Sequence, residues 1–353
     1  MVDHAGNKRV VVSMLAELAE AAPGEVRGVL ARHCHPEVEW EVFHPFNSLR
    51  GIDDAAARFW GPLRTAFPDY EQRLGLVIGG SYEGRNMVST LGNLMGTLAG
   101  PWLGIPATHA LTFLRFGTNA ILRDGKIAKM YILLDIVDVM RQAGWYPLRA
   151  MPGSGEQWPL PPCTGTSDAH EHDATRGADT LRIIREMQSG LASGEELKDL
   201  AATNSKHSPH WHENMNWYGP AGIGSSRGQR GFLDYHGALF INAFPDRGGF
   251  PRDPAGPETQ PGHYIQAGDG RFGVTGGWPS LHGTHTGGAW LGVPPTGRHI
   301  NMRVADWYRT DTHDKLIDNW VMMDIPHILD QMGLDILDDL RYRTDPTLPR
   351  WPR

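Results

Sequence analysis

The sequence predicts an α+β protein made of two tandem copies of one domain, each a curved antiparallel sheet wrapped on helices. Three observations lead there: an internal repeat, the order of helical and strand-like patterns inside each copy, and a composition able to fill two cores. The repeat is clearest in Gly96 to Thr108, GTLAGPWLGIPAT, and Gly283 to Gly297, GTHTGGAWLGVPPTG. Both keep Trp-Leu-Gly-aliphatic-Pro, at Trp102 and Trp290, 188 residues apart. Upstream, Ala66-Phe67-Pro68-Asp69 recurs as Ala243-Phe244-Pro245-Asp246, and His35-x-x-Val38-x-Trp40 recurs as His212-x-x-Met215-x-Trp217. Downstream, Asp124-Gly125-Lys126-Ile127 recurs loosely as Asp314-Lys315-Leu316-Ile317, and Asp135-Ile136 as Asp324-Ile325. Landmarks in one order, twice, indicate a duplicated domain.

Each copy gives the same elements. A first helix is expected over about Lys8 to Ala22, with Val11, Leu15, Leu18 and Ala22 on one face, and its counterpart near Asp179. A second short helix follows; in the later copy Ser193-x-x-Glu196 reads as a capping box that starts it. Strands are expected at Glu37–Val42 and Asn214–Tyr218, then a helix ending at Phe-Pro-Asp, then strands joined by glycine-rich turns at 79–84, 123–126 and 268–270. A closing helix carries Ile136, Val139, Met140 and Ala143 in the first copy, and Ile325, Ile328, Leu329 and Met332 in the second. Helices at the ends with antiparallel strands between them give the α+β class.

The boundaries follow: a first domain over 1–144, a Pro/Gly-rich linker over 145–178, a second domain over 179–340 and a tail over 341–353. A second irregular stretch, Arg247 to Gly262, reads as a loop insertion over a pocket. The length of 353 residues agrees with two domains at about 150 residues each. With 40% hydrophobic residues there is apolar material for two cores, and 43 glycines with 26 prolines stay below the level of disorder. The net charge of −7 argues against a nucleic-acid partner. Two cysteines, Cys34 and Cys163, make no disulfide framework and fit a reducing, cytoplasmic setting. No apolar run approaches the 18 residues of a membrane span, and the N-terminus reads as an amphipathic helix rather than a signal peptide.

The succession of Phe-Pro-Asp, Gly-x-x-x-Gly-x-Trp-Leu-Gly-Ile-Pro-x-Thr and Asp-Gly-Lys-Ile resembles the SnoaL-like polyketide cyclases of the nuclear transport factor 2-like superfamily. The resemblance covers nearly all of both copies. It implies two tandem cone-shaped α+β barrels, each with an apolar cavity, and chemistry without a cofactor. In those cyclases an aspartate on the last strand moves a proton next to a carbonyl. The matching positions here are Ile132 and Val321, both aliphatic. A second polar position of the family matches Thr118 and Asp306, so the first copy is expected to be degenerate and the second to hold the candidate site.

Asp306 also stands out by itself. With period-2 alternation, Met302, Val304, Asp306 and Tyr308 share one strand face. A lone carboxylate on an apolar face must be paired, protonated or functional. His285, in Gly-Thr-His-Thr-Gly, is the expected partner of Asp306, ahead of His282. The substrate-binding set is completed by Trp217 as a stacking wall, with His212, His282, Tyr308, Val321, Asp324 and Trp290. Asp135 and Asp324 precede helical stripes and read first as N-caps, with a dual role at the cavity mouth as the alternative for each. Trp102 and Trp290 read chiefly as structural cover at one barrel end. His210 and His212 share a strand face and could ligate zinc together, but His282 and His285 point oppositely and no metalloprotease spacing occurs, so no metal is assigned. Two readings result. One is a cofactor-free acid/base enzyme of cyclase, isomerase, dehydratase or hydratase type on a small, largely apolar carbonyl or aromatic substrate. The other is a non-catalytic small-molecule-binding or scaffolding protein. The expected assembly is a monomer with an internal pseudo-two-fold, with a homodimer as the alternative.

Overall fold

The computed structural model describes residues 2–155, 158–159, 172–193, 209–249, 262–344 and 347. The chain begins with the helix His4–Glu20, whose first turn is capped by Asp3 accepting the Gly6 N–H at 2.7 Å. Val11, Met14, Leu15 and Leu18 form its buried stripe, while Ala22 lies beyond its end and is exposed. A short helix, Val26–His33, leads into β1 (Cys34–Val42) and β2 (Asn47–Arg50). Next comes a helical segment with a wide π-type turn at its centre, Gly51–Ala55, Ala56–Trp60 and Gly61–Ala66. Four strands follow, β3 (Glu71–Tyr82), β4 (Arg85–Thr97), β5 (Leu111–Arg123) and β6 (Lys126–Leu134), and the helix Ile136–Gln142 closes the half.

The second half repeats this plan. Its first helix, Ala174–Ser193, starts five residues before Asp179, inside the expected linker. Then come β7 (Trp211–Tyr218), β8 (Ser226–Arg227) and the segments Gly228–Phe232, Leu233–Gly237 and Ala238–Ala243, again with a wide turn in the middle. Strands β9 (Ile265–Asp269), β10 (Phe272–Thr284), β11 (His299–Thr310) and β12 (Leu316–Met323) precede the helices Ile325–Gln331 and Ile336–Thr344. Glu196 of the expected capping box, His207, Cys163 and most of the 247–262 loop lie outside the described residues, and Ser193 ends the helix Ala174–Ser193.

Two expectations need correction. The sheets run β2-β1-β6-β5-β4-β3 and β8-β7-β12-β11-β10-β9, so their edge strands do not meet and neither closes into a barrel. They are also mixed: β1 runs parallel to β6, and β7 to β12, because the first strand of each half enters beside the last. Irregular register, as between Gly277 and Leu281, bends the sheet toward its helices.

The repeated motifs have local causes. Asp69 accepts both the N–H and the hydroxyl of Thr97 at 2.7 Å, and Asp246 does the same for Thr284 at 2.6 Å. Phe-Pro-Asp therefore pins the Gly-Thr at the end of β4 or β10. In both Trp-Leu-Gly turns the Leu and Gly are left-handed, with φ of 53° and 81° at Leu103 and Gly104, and 52° and 88° at Leu291 and Gly292.

The outward faces of the two sheets meet. Trp307 donates its indole N–H to Ser89 Oγ at 2.7 Å across this seam. A Cβ at Gly117 would lie 2.4 Å from the Trp307 ring, so only glycine fits there. Lys8 is fully buried on Asp269 of the other half, at 2.7 Å. The seam is closed twice by one arrangement. Asp135 caps Asp138 N–H, pairs with Arg115 at 3.1 Å and accepts Ala221 N–H from the second half at 2.8 Å. Asp324 caps His327 N–H, pairs with Arg303 at 3.0 Å and accepts His44 N–H from the first half at 2.9 Å. These aspartates are caps, and their second role is holding the halves together rather than facing a cavity.

Candidate active site

Between the inward face of the second sheet and its helices lies a partly enclosed cavity of about 130 Å³. Strand alternation on β11 puts Met302, Val304, Asp306 and Tyr308 along one wall, as the sequence implied. The neighbouring strand supplies Asn319 and Val321, in register with Tyr308 and Asp306 respectively. Trp217 of β7, in register with Asn319, extends that wall, the helical residues Phe232, His236 and Phe240 line the cavity as well, and so does the half-buried Arg247.

Burial pushes the Asp306 carboxyl up to about 7, against hydrogen bonds from Asn319 and Tyr308 that favour the anion. Among the described residues no cation enters that balance. Tyr308 is held well above its ordinary value by burial and by Asp306, so its phenol keeps its proton. Behind Tyr308 stands a buried polar chain. The Gln188 amide nitrogen lies 2.6 Å from Thr275 Oγ1, 3.1 Å from His263 Nδ1 and 3.3 Å from the Tyr308 hydroxyl. His263 completes the chain at Ser280 Oγ. Burial pushes His263 down to about 3, so it is neutral, with Nδ1 accepting from Gln188 and Nε2 donating to Ser280.

His236 belongs to the wide turn Leu233–Gly237. Its ring stacks on Trp217 with centroids 4.4 Å apart and planes 13° apart. Burial alone pushes it down to about 3, and its Nδ1 has no hydrogen-bond partner. A π-type turn adds a residue to a helix and re-aims its side chains, here inward.

The structure thus brings Asp306, Tyr308, Trp217 and Val321 to one cavity and places the other expected residues elsewhere. His285 is buried in the loop after β10, against Phe244; its Nε2 lies 3.1 Å from Gly288 O and its Nδ1 3.4 Å from Thr296 Oγ1. It holds that loop and makes no bond to Asp306. His282 follows Leu281, which takes the cavity side of β10, so the histidine turns away; its backbone bridges Gly248 and its ring sits 5.1 Å from His299. His212 lies outside the cavity wall and accepts Asn214 N–H at Nδ1. Trp290 packs on Phe244 and Phe240, behind the cavity rather than in it. Asp324 is at the seam. Among the described residues, the His/acid grouping close enough to share an ion is His44, Asp330 and Asp335, toward the surface and away from these histidines.

Sequence reasoning missed Gln188, His263, Asn319, His236 and Arg247. Two left a signal. Gln188 sits in the apolar stripe with Ile184 and Met187. His236 stands 177 residues after the fully buried Phe59, so aligning the copies exposes an aromatic-to-histidine exchange.

No family model matches the chain, and neither does any curated protein. Among solved structures, a protein of Jannaschia sp. CCS1 named for the SnoaL-like polyketide cyclases is 26% identical, over 41% of this chain and 94% of its own, with a TM-score of 0.35. TsrD from Streptomyces laurentii is 21% identical over 41% of this chain and 99% of its own, with a TM-score of 0.34. A SnoaL-like polyketide cyclase from Agrobacterium tumefaciens is 14% identical over 38% and 96%, with a TM-score of 0.31. In strand order and helix placement, the chain carries one α+β plan twice, in two tandem halves, each a six-stranded mixed sheet with helices, and each of these solved structures is similar to about two fifths of it.

Proposed function

We propose that the second half is a cofactor-free acid/base site, of cyclase, isomerase, dehydratase or hydratase type, for a small, largely apolar carbonyl or aromatic substrate. The observation that supports it is Asp306: a carboxyl in a largely apolar cavity, on which no cation acts among the described residues, with its pKa pushed up to about 7. At pH 7 such a group exists in both forms in comparable amounts. Its anion takes a proton from a carbon next to a carbonyl, and the acid returns a proton to the neighbouring atom. Asn319 and Tyr308 orient the carboxyl, while the neutral Gln188–Thr275–His263 chain fixes Tyr308. The non-catalytic reading draws on Val321, which leaves an aliphatic residue opposite Asp306 on the last strand.

Exchange of α-protons for deuterium in small ketones, followed by NMR in D₂O, tests the proposal without knowledge of the natural substrate. Wild-type protein is expected to accelerate exchange, with the rate rising through a midpoint near pH 7 as the carboxylate forms. Asp306→Asn is expected to abolish the acceleration. Equal rates in both proteins favour the binding role.

A further inference from the structure

The cavity contains one charge that acid/base chemistry at Asp306 leaves unused. Arg247 contributes to its lining, half-buried, on the loop that follows Phe-Pro-Asp. Among the described residues no acidic group acts on it and no ion pair joins it; burial lowers its proton affinity. Other arginines of this half with comparable or greater cover are paired, Arg303 with Asp324 at 3.0 Å and Arg309 with Asp318 at 2.5 Å. A half-buried guanidinium in a cavity that Phe240, Leu281 and Met302 also line has lost part of its hydration, and no counter-charge offsets that among the described residues. Its fork of donors fits a carboxylate in a bidentate manner. Arg247 also stays clear of Asp306, whose balance shows no contribution from it, so the charge and the carboxyl mark different parts of the cavity.

The size of the space narrows the ligand. A buried apolar cavity of about 150 Å³ takes one benzene ring, and this one, at about 130 Å³, has room for a similar group. Trp217, stacked on His236, offers a flat wall, and the unpartnered Nδ1 of His236 offers one more polar contact. The first half has none of this: Tyr70, 177 residues before Arg247, is buried under Arg64.

We propose that the second-half cavity selects a small, single-ring carboxylic acid, with the ring against Trp217, the carboxylate on Arg247 and the reacting end toward Asp306. This rests on the reading of the cavity as the functional site and names the class of ligand it takes.

The test is isothermal titration of the full chain with four single-ring acids, benzoate, phenylacetate, cinnamate and cyclohexanecarboxylate, and with their primary amides. Wild type is expected to bind at least one acid about tenfold or more tightly than its amide. Arg247→Gln is expected to erase that preference while leaving amide affinity in place, and Arg247→Lys to restore part of it. Asp306→Asn is expected to keep the preference. No binding of any acid, or a preference unchanged in Arg247→Gln, overturns the proposal. If the preference disappears in Arg247→Gln but ketone exchange is equal in wild type and Asp306→Asn, the ligand class stands and the acid/base reading fails.

Discussion

The two halves share a backbone plan and differ in what fills the space between sheet and helices. In the first half Phe59 and Trp60, fully buried on their wide turn, occupy that space, with Trp60 6.4 Å from Trp40 and Phe59 5.9 Å from Phe43. In the second half the matching positions of the turn are His236 and Gly237. Register pairs the strands just as closely. Thr90 opposite Thr118 becomes Thr275 opposite Asp306, and Ala120 opposite Met130 becomes Tyr308 opposite Asn319. Thr90 and Thr118 satisfy one another at 2.7 Å in a closed core. Removing an indole on one side and adding a carboxyl on the other turns the same scaffold from a packed core into a polar-tipped cavity. The difference shows that a few exchanges at cavity-facing positions convert support into site while the Phe-Pro-Asp and Trp-Leu-Gly motifs, which serve turns and strand ends, stay fixed.

The comparison can be broken first by undoing it. Gly237→Trp moves the first-half plug into the second half; its helical backbone accepts the side chain, and affinity for any cavity ligand is expected to fall about 100-fold or more. Retained affinity in calorimetry places the site elsewhere. At the seam the halves are expected to behave alike. Asp135→Ala and Asp324→Ala each remove a helix cap, an arginine's nearest partner and a bond to the other half, with Arg115 keeping Asp138 at 3.6 Å, and are expected to cost about 3–5 kcal/mol in denaturant unfolding; a large cost at one alone breaks the pseudo-symmetry. In the cores they are expected to differ. Trp60→Ala opens a void and is expected to cost about 3–5 kcal/mol, while His236→Ala, beside an existing cavity, costs about 1 kcal/mol.

The last comparison concerns pH. Asp306 is raised in the folded state, from an ordinary 3.8 to about 7. Between those values the folded chain holds more protons than the unfolded chain, so this group makes stability fall as pH rises from about 4 to 7, and level off above. Asp306→Asn lacks that fall. Relative to wild type, the variant is expected to gain about 4 kcal/mol between pH 4 and pH 8.

The fold was legible because its signals are local. The Phe-Pro-Asp and Trp-Leu-Gly strings encode hydrogen bonds and left-handed turns within one loop, and the alternation on β11 placed Asp306 and Tyr308 on the cavity face. Partnerships across space were less legible. His285 lies near Asp306 only in a flat diagram; after β10 the chain leaves the sheet over Phe244, and the histidine goes with it. His263 falls in a stretch with no periodicity and enters the site through Gln188, which comes from a helix 75 residues away. Asp324 carried a cap signal that could not reveal its bond to His44, 280 residues earlier.

The central claim is that the second half keeps a carboxyl poised for proton transfer in its cavity and the first half does not. Carboxyl-carbon NMR titration of the full chain, with Asp306→Asn to assign the resonance, tests it most directly. A midpoint near pH 7 for Asp306 is the expected result. A midpoint near 4, that of a solvated aspartate, would contradict the account.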